Sequence, residues 1–561
     1  MTRHFFPYWS YILLFFLALL VRIAAALVQQ QPGYMDAAYN YDIALNLARG
    51  QGLTEPFLWN YLDDPVGLPH PSHLYWMPLP TLLAWVGLTL LGQTYRAAQA
   101  PFAILSALLP LVSYWIAVQA TRRRYCGWLA GLLTIFSGFY VLYWGHTDNF
   151  TPFALAGSLG LVAGGWSLGT GSKGAEEQRG RGARRHLLAL AAGALVGLAH
   201  LSRADGPLLL IAIGISNLKW QISNGKSQIS NRQPPTSDLK PQLATHRLSF
   251  DICHLMFVFL GYVLVMLPWF ARNWTVTGTP LPAAGTQTIW LTTYDDLFSY
   301  GRELSPQTYL AWGWGNILRS KLDALWLNTQ TVVAVLGMIF LVPLVPVGWW
   351  RLRHHRLYQL AAWYGVLLFL AMTFVFTFPG PRGGLLHSGG VLLPFIFTAA
   401  LVGLDAAVEW AAARRRGWNA SVAKQVFGAG LVGLALLVSS FLYYRGVMAG
   451  ARWRESGAAY SYLVEWLAAH GQAGAMVMVG DPPGYWYYGG GPSIVVPNEP
   501  VETVLTVADR YGARYLVLDR NRPTPLAALY IGAATFPRLR LVETLPGDLH
   551  VYRIEPPEVS R

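Results

Sequence analysis

The segment that follows the first apolar block of the chain reads Pro32-Gly-Tyr-Met-Asp36-Ala-Ala-Tyr39-Asn-Tyr-Asp42 and continues through Leu45-Asn-Leu-Ala-Arg-Gly50-Gln-Gly52. It is acidic and rich in tyrosine, and it begins a few residues beyond a stretch long enough to cross a bilayer. A carboxylate is costly near the hydrocarbon core, so one held at its edge usually serves chemistry or binds a cation. The placement of Asp36 therefore predicts a membrane enzyme with a site at one face of the bilayer.

The composition of the chain agrees with a membrane protein. Of its 561 residues, 54% are hydrophobic and only 12% are charged, whereas soluble domains are about one quarter charged. The net charge of +13 lies in short clusters between apolar blocks, which favours cytoplasmic loops over a nucleic-acid surface. Two cysteines, Cys126 and Cys253, imply no disulfide framework. No small-residue cleavage site follows the first apolar block, which is expected to be a retained anchor.

Apolar stretches of sufficient length predict about eleven membrane spans. They are placed near residues 9–29, 97–120, 126–144, 150–168, 187–201, 206–217, 251–270, 328–350, 357–377, 390–412 and 422–443. The apolar segment 77–92 is short and begins with prolines, so we expect a half-buried helix at the membrane interface rather than a further span.

Basic clusters test this topology. They are Arg122-Arg-Arg124, Lys173 with Arg179 to Arg185, the segment 219–247, Arg351 to Arg356, and Arg414-Arg-Arg416. With eleven spans and a cytoplasmic N-terminus all of them fall in the cytoplasm, whereas counting 77–92 as a span would place all of them outside. We therefore expect a multi-pass plasma-membrane protein whose loop 30–96, tip 145–149, loop 271–327, turn 379–390 and C-terminal residues lie outside.

The expected fold class is mainly α: a polytopic transmembrane helix bundle over residues 1–445 and a small extracytoplasmic α/β domain over 446–561. In the latter, short strands are predicted at 475–479, 493–496, 514–518, 540–542 and 550–553, with helices at 456–470 and 500–511. Within the bundle, segment 219–247 is polar and repeats Gln-Ile-Ser-Asn, which predicts a disordered cytoplasmic insertion.

Two acidic residues on neighbouring outer loops are candidates for catalysis. Asp36 follows the first span, and Asp148 lies in the tip Gly145-His-Thr-Asp-Asn149 between the third and fourth spans. If the two loops meet, one carboxylate can deprotonate a hydroxyl while the other orients it or holds a cation. Asp42, Asp63 and Asp64 fit better as solvated loop residues or helix caps.

Three arginines sit at outer membrane edges, where positive charge is disfavoured. They are Arg203 in Leu201-Ser-Arg-Ala-Asp-Gly206, Arg272 in Pro268-Trp-Phe-Ala-Arg-Asn273, and Arg382 in Pro379-Gly-Pro-Arg-Gly-Gly384. For any one of them, snorkelling toward lipid headgroups is sufficient explanation. Together around one cavity they predict a phosphate site, since guanidinium groups bind phosphate in two-pronged contacts. His387 follows closely and is expected to line the same space.

Metal-binding and nucleotide-binding motifs provide little evidence about function in this sequence. His70 and His73, with Asp63 and Asp64, have metal-binding side chains, but their spacing matches no established ligand pattern and an ordinary loop is favoured. No phosphate-loop, GxSxG or HExxH pattern occurs in the sequence.

The motifs quoted above resemble those of GT-C membrane glycosyltransferases, in particular bacterial ones similar to protein O-mannosyltransferases and lipid A aminoarabinose transferase. The usual Asp-Glu-Ala-x-Tyr is here Asp36-Ala-Ala-Tyr39, without the second acid. Leu201 to Gly206 is similar to the family's Leu-Thr-Arg-Pro-Glu-Gly, and Pro268 to Asn273 to its Pro-Trp-x-x-Arg-Asn. The resemblance covers roughly residues 1–400.

This resemblance implies transfer of a sugar from a polyprenyl-phosphate donor to a lipid, glycan or protein acceptor on the outer face, with inversion. Asp36 would be the general base and Asp148 a second catalytic acid. Tyr39, Arg203, Arg272, Arg382 and His387 would bind substrate. No cofactor is implied with certainty; some members bind a divalent cation, and for this chain the metal is left open.

Two other classes compete with this interpretation. A transporter or lipid flippase would explain polar residues in the membrane region, but it predicts internal repeats and charges at the bilayer midplane. The sequence has no such repeat, and its candidate acids lie at one edge. A non-catalytic scaffold that presents the C-terminal domain is the third possibility.

Overall fold

The computed structural model describes residues 6–168, 175–230, 240–376, 383–415, 417–450 and 455–557. Its α-helices, in chain order, are Phe6–Val28, Met35–Ala48, Leu79–Leu91, Tyr95–Thr121, Arg124–Ile135, Phe150–Ser167, Ala175–Ser202, Pro207–Ser230, Lys240–Thr277, Ala283–Gln287, Pro306–Ala311, Trp314–Gln330, Val345–Leu352, Arg356–Leu370, Gly384–Ser388, Leu393–Ala412, Ala420–Tyr443, Glu455–Ala469, Pro482–Tyr487, Val501–Tyr511 and Ala527–Tyr530. The mainly helical class predicted from the sequence is confirmed.

Among the described residues, seven helices are long and apolar enough to cross a membrane. They are Tyr8–Val28, Tyr95–Thr121, Ala183–Ser202, Cys253–Thr277, Arg356–Val375, Gly384–Ala412 and Ala420–Met448. Each coincides with a span predicted from the sequence. The protein is therefore a multi-pass membrane protein.

The other four predicted spans are helical but shorter or interrupted. The span at 126–144 is divided into Arg124–Ile135 and a 3-10 turn, and the span at 328–350 contains a π-helical turn before Val345–Leu352. The segment 77–92 forms the helix Leu79–Leu91, whose 13 residues are too few to span a bilayer. The expectation of a short helix there is confirmed.

A buried arginine caps the C-terminal end of the helix Arg124–Ile135. Arg22, 2% exposed on the first helix, donates from Nη1 to the Ile135 carbonyl (3.1 Å) and from Nη2 to the Thr134 carbonyl (3.3 Å). The last carbonyls of a helix lack partners within it, and water is scarce inside the bundle. Arg22 therefore satisfies the helix end and allows the chain to turn there.

The helices differ in how deeply they lie in the bundle. Gly384–Ala412 is central, with 83% of its apolar window buried, whereas Tyr8–Val28 and Ala420–Met448, at 17%, lie at the periphery. Close helix contacts rely on small residues: a Cβ on Gly193 would lie 1.8 Å from the Val258 carbonyl oxygen. Such contacts are typical of membrane helices, which gain little from the hydrophobic effect when they associate.

The two ends of the bundle differ in charge. One end, called the site end, contains Asp36, Asp148 and Arg203. The opposite, basic end contains the described residues of the basic clusters, with Arg123 paired to Asp405 (2.6 Å). At the same end Arg351 and Lys424 both pair with Glu409, at 2.9 and 2.7 Å.

Helices extend into the segment 219–247 from both sides, as parts of Pro207–Ser230 and Lys240–Thr277. A helix that has already been nucleated by an apolar span lengthens at little cost. The disorder predicted for the segment stays a prediction. Residues 231–239 lie outside the described residues.

The described residues form eight short strands: β1 Thr54–Glu55, β2 Phe57–Leu58, β3 His70–Pro71, β4 Val477–Val479, β5 Ser493–Val495, β6 Tyr515–Leu518, β7 Leu539–Leu545 and β8 Leu549–Ile554. Strands β1 and β3 form a small antiparallel pair. The others form one sheet of order β2-β5-β4-β6-β8-β7. The pairs β2–β5, β5–β4 and β4–β6 are parallel, and the pairs β6–β8 and β8–β7 are antiparallel.

The C-terminal strands lie where the sequence predicted them, as do the helices Glu455–Ala469 and Val501–Tyr511. The edge strand β2 was not predicted: Phe57 pairs with Ser493 and Leu58 with Ile494, so the loop that contains Phe57 adds a strand to the C-terminal sheet. A two-residue strand leaves no periodic pattern in the sequence. The division of the chain at residue 445 stays a prediction.

Candidate active site

The helix that carries Asp36 is Met35–Ala48. It begins after Tyr34, whose backbone is extended, and Asp36 lies in its first turn. A negative charge is stabilised there by the unpaired N–H groups and by the helix dipole. The Asp36 side chain is partly accessible, while the following residues from Ala37 to Ala44 are buried. The acid thus stands at the accessible start of an otherwise buried helix.

The tip that contains Asp148 docks on this helix. The Thr147 hydroxyl donates to the Ala37 carbonyl at 2.7 Å. The Tyr34 hydroxyl donates to Asp148 Oδ2, also at 2.7 Å, and the Asn149 N–H donates to Oδ1 at 2.5 Å. The two loops therefore meet, and both oxygens of Asp148 have donors.

The two carboxylates are electrostatically linked. Burial raises the pKa of Asp36 well above its usual range, and the negative charge of Asp148 raises it further, whereas the Arg203 guanidinium opposes the shift. Burial also raises the pKa of Asp148, against which the donors Asn149 and Tyr34 act. Asp36 is thus made the more basic carboxylate, and Asp148 is stabilised by hydrogen bonds in its charged form.

Arg203 lies near both acids and is fixed by a third. Its Nε donates to Asp205 Oδ1 at 3.1 Å, and the other Asp205 oxygen accepts from the Ser388 hydroxyl at 2.5 Å. Gly384 allows the guanidinium to approach the chain, since a Cβ there would lie 3.0 Å from Arg203 Nη2. Among the described residues, no hydrogen bond engages the two terminal nitrogens of Arg203. They remain available for an anion.

His387 is buried next to Asn149, the residue that follows Asp148. It is 9% exposed, its ring stacks on Phe150 at 4.3 Å between centroids, and its Nδ1 lies 3.0 Å from Asn149 Oδ1. Because Asn149 also donates to Asp148, His387 is placed to position that acid, and its predicted contact with substrate stays a prediction. Arg382 lies outside the described residues, so its predicted place beside His387 stays a prediction.

An aromatic group lines the loop next to Asp36. The charge of Asp36 raises the pKa of the buried Tyr75 hydroxyl, after the larger effect of burial, and Arg203 lowers it. Tyr75 therefore lies close to both groups, beside the stacked rings of Trp59 and Trp76, 3.8 Å apart. Sequence analysis missed Tyr34, Tyr75 and Asp205. Only Asp205 left a signal, as the acid of the Arg203 motif.

Two other predicted substrate-binding residues belong to a separate group. Tyr39 is 1% exposed, and its oxygen accepts from the His73 backbone N–H at 2.7 Å. Arg272 donates from Nη2 to the Ser72 carbonyl at 2.6 Å and stacks on Trp269 at 4.9 Å. These contacts hold the loop around residue 72. The assignment of Tyr39 and Arg272 to substrate stays a prediction that no contact supports.

The interpretation of Asp42 as a solvated residue was wrong. Asp42 is 1% exposed and its Oδ2 has no hydrogen-bond partner. Burial raises its pKa well above the usual range, and the nearby Asp481 adds to the shift. The cause is the C-terminal helix Pro482–Tyr487, which covers this face: Tyr487 packs on Tyr41, with ring centroids 5.4 Å apart.

The histidines of the loop are bound to protein groups. His70 bridges Glu55 Oε1 and Asp63 Oδ2 at 2.8 and 2.9 Å. Burial alone would lower the pKa of His70, but its hydrogen bonds to these two carboxylates outweigh the effect of burial and raise the pKa to about 9. In the described part of the chain, no group of three or more His, Cys, Asp or Glu side chains could hold a metal ion.

The architecture is that of the GT-C membrane glycosyltransferases, and the predicted resemblance is confirmed at the level of the fold. ArnT from Cupriavidus metallidurans bound to undecaprenyl phosphate superposes with a TM-score of 0.58 over 97% of both chains, at 13% identity. The apo form of that protein gives 0.51, at 13% identity over 95% of this chain and 97% of ArnT.

An oligosaccharyltransferase from Archaeoglobus fulgidus, in complex with Zn and sulfate, gives a TM-score of 0.50 at 12% identity, over 90% of this chain and 68% of the other. No family model matches the sequence. No curated protein matches it either. At such identities the comparisons establish a shared fold.

Proposed function

We propose that the protein is a glycosyltransferase that moves a sugar from a polyprenyl-phosphate donor to an acceptor hydroxyl on the outer face of the membrane, with inversion. The observation that carries the proposal is the convergence of Asp36, Asp148 and Arg203 at the end of the bundle. These residues come from three segments far apart in sequence. The fold is shared with ArnT, whose structure holds undecaprenyl phosphate.

Asp36 is the general base of the proposed reaction. The acceptor hydroxyl gives its proton to the Asp36 carboxylate, and its oxygen forms a bond to the anomeric carbon as the bond from that carbon to the phosphate oxygen breaks. A base is most effective when its pKa lies near the working pH. Burial and Asp148 raise the pKa of Asp36 in that direction.

Asp148 orients the site. Its oxygens are held by Tyr34 and Asn149, so the carboxylate keeps one position and its charge makes Asp36 more basic. Before the proton moves, Asp148 also offers a second carboxylate that can accept a hydrogen bond from the hydroxyl of the sugar acceptor. Tyr34 and His387 are positioning residues in this scheme.

Arg203 stabilises the leaving group. When the bond to the sugar breaks, the lipid phosphate gains negative charge, and a preorganised cation lowers the energy of that state. Asp205 holds Nε of Arg203, which directs the terminal nitrogens away from Asp205. Two parallel N–H groups match two phosphate oxygens. Arg382, from the neighbouring turn, is proposed as a second cation for the same phosphate.

The proposed orientation has the N-terminus in the cytoplasm and the C-terminal sheet outside. The basic end, with Arg122, Arg184, Arg356 and Arg414, then faces the cytoplasm, in agreement with the distribution of positive charge in membrane proteins. A reporter fused after Arg561 should be active only outside the cytoplasm. Activity of that reporter in the cytoplasm would contradict the proposed location of the site.

The direct test is transfer of radiolabelled sugar from a lipid-linked donor pool to cell-envelope acceptors by the purified protein in vesicles. The wild type should label an acceptor, and Asp36→Asn should not, because an amide cannot take the proton. Asp64→Asn serves as the control, since Asp64 is exposed and paired with Arg510. Export of the intact donor lipid without transfer would favour the flippase alternative.

A further inference from the structure

The C-terminal segment 481–488 packs against the helix that carries the candidate base. The Tyr488 hydroxyl donates to Gln31 Oε1 at 2.6 Å, just before that helix begins. Tyr487 packs edge-to-face on Tyr41, within the helix, with ring centroids 5.4 Å apart. One contact precedes the candidate base in the sequence and the other follows it, so the C-terminal segment borders the candidate active site.

Trp486 differs from the other aromatic residues of this segment. Tyr485 is buried and packs on Tyr460, and Tyr487 and Tyr488 make the contacts given above. Trp486 is partly exposed. Within the described part of the chain it makes no hydrogen bond and no stacked or edge-to-face ring contact. The exposed part of its indole ring and its N–H group are therefore available to a ligand.

Trp486 also lies next to the candidate active site. Trp486 and Tyr75 both pack against one buried cluster, which consists of Tyr39, Ile43, Phe57 and Trp59. Tyr75 is in turn close to Asp36, whose charge raises the pKa of the Tyr75 hydroxyl after the larger effect of burial. Single exposed apolar residues are common on protein surfaces, but one beside a candidate active site is placed to contact a substrate.

Asp481 provides a polar group at the start of the same short helix, Pro482–Tyr487. Its Oδ1 accepts from the Gly484 N–H at 2.9 Å, which caps the helix. A Cβ on Gly484 would lie 2.6 Å from Oδ2, so the glycine leaves room for the carboxylate. Burial raises the pKa of Asp481 to about 6, so the group is mainly ionised at neutral pH. The side chain is partly accessible, and no described residue donates a hydrogen bond to Oδ2.

Electrostatic effects place Asp36 between Asp481 and Arg203. The charge of Asp481 raises the pKa of Asp36, after the larger effects of burial and Asp148, and Arg203 lowers it. Arg203 is not among the groups that shift the pKa of Asp481. Such effects weaken with distance, so Asp481 and Arg203 lie on different sides of Asp36. Since Arg203 is the proposed partner of the leaving phosphate, Asp481 lies on the side of the acceptor.

The combination of a free indole ring and a free carboxylate oxygen fits a carbohydrate. A sugar ring offers C–H groups on one face, which pack on aromatic rings, and hydroxyls at its edge, which donate to carboxylates. We propose that Trp486 and Asp481 bind a sugar ring of the acceptor: the indole packs on the C–H face, Asp481 Oδ2 accepts from one hydroxyl, and another hydroxyl faces Asp36. The assignment to the acceptor rests on the proposed function, whereas sugar binding at this place does not.

The first test measures the binding of small sugars directly. Purified full-length protein in lipid nanodiscs is mixed with methyl glucoside or methyl mannoside, and binding is followed by saturation-transfer difference NMR. The wild type should transfer saturation to the C–H groups of the sugar ring. Trp486→Ala should lower this signal at least about threefold, because the aromatic contact is lost. Trp486→Phe, which keeps an aromatic ring, should retain most of it.

The matched control is Trp314→Ala, which removes an indole that is 75% exposed and lies outside the cluster beside Asp36. It should leave the signal unchanged. Asp481→Asn should lower the signal, since an amide keeps the helix cap but not the charge. Equal signals from the wild type and Trp486→Ala, or no signal from the wild type, would overturn the proposal. Stronger binding of N-acetylthreonine amide or ethanolamine, lost in Trp486→Ala, would overturn the assignment to a sugar.

The transfer reaction distinguishes the acceptor from the donor. Trp486→Ala should raise the concentration of cell-envelope acceptor that gives half-maximal rate at least about threefold, while the corresponding concentration of lipid-linked donor stays unchanged. The reverse pattern would overturn the assignment to the acceptor. If the wild type transfers no sugar, the proposed function fails, and the NMR experiment still decides whether Trp486 and Asp481 bind sugars.

Discussion

Two groups of candidate residues, linked by the motif from Asp36 to Tyr39, make different contacts. One contains Asp36, Asp148 and Arg203; the other contains Tyr39, His73 and Arg272. In the second group the Tyr39 oxygen and Arg272 Nη2 bond to the loop itself, at 2.7 and 2.6 Å. In the first, the hydrogen bond that Arg203 makes among the described residues is at Nε, and Asp36 stands partly accessible at a helix start.

The comparison teaches that a motif does not by itself separate a reacting residue from a structural one. Tyr39 lies three residues after Asp36 in the same motif, about one helical turn away, yet its side chain is buried and its oxygen accepts from the His73 backbone. A residue whose polar atoms are already satisfied by the loop would have to break those contacts before it binds substrate. The four predictions below test this distinction.

The largest effect is expected for Asp36→Asn. General-base catalysis contributes about 10²–10⁴-fold to rate, so transfer should fall by that factor in folded protein. Asp42→Asn on the same helix is the control: a buried carboxyl kept neutral resembles an amide, and transfer should stay within about threefold of the wild type. Initial rates of transfer, measured with saturating donor, test both expectations. Equal losses in both variants would remove the distinction between the two acids.

Arg203→Lys should come next. A lysine cannot keep the Nε contact to Asp205 and also offer two parallel donors to a phosphate. The loss of a charge-assisted hydrogen bond costs about 1.5–3 kcal/mol, or about 10- to 150-fold in donor affinity. Arg272→Lys should leave donor affinity nearly unchanged and lower the melting temperature instead. Donor binding is measured by titration with the lipid phosphate; a reversed pattern in the two variants would show that Arg272 holds the phosphate.

The pH dependence of transfer should report the link between the two acids. Asp36 must be ionised to accept a proton, so the rate should fall as pH drops below its raised pKa and level off above it. Removing the charge of Asp148 lowers the pKa of Asp36. In Asp148→Asn the acid limb of the profile should therefore move to lower pH, together with a lower maximum. An unchanged limb would mean that another group controls the proton transfer.

Tyr39→Phe should have the smallest effect on chemistry. The variant loses one hydrogen bond, from the His73 backbone, which contributes about 0.5–1.5 kcal/mol to stability. The melting temperature should fall slightly while transfer at saturating donor stays near that of the wild type. A loss of turnover greater than about tenfold, without a change in donor affinity, would place Tyr39 at the reacting atoms.

Much of the fold was predictable from sequence because it depends on local composition. The length of apolar stretches fixed the predicted spans, and alternation over a few residues predicted the C-terminal strands. The same local cues predicted the helix Leu79–Leu91 and identified Asp36 as a candidate catalytic residue. Its neighbour Asp148 was found from its position at the tip between two spans.

The partners of those residues were decided only by the tertiary structure. Asp205 meets Ser388, Tyr34 meets Asp148, and Phe57 pairs with Ser493, over separations of more than a hundred residues. No periodicity in the chain encodes such pairs, because they depend on how helices pack and which loops then lie side by side. The sequence determined where each charge sits along the chain, and the packing of helices decided which charges meet.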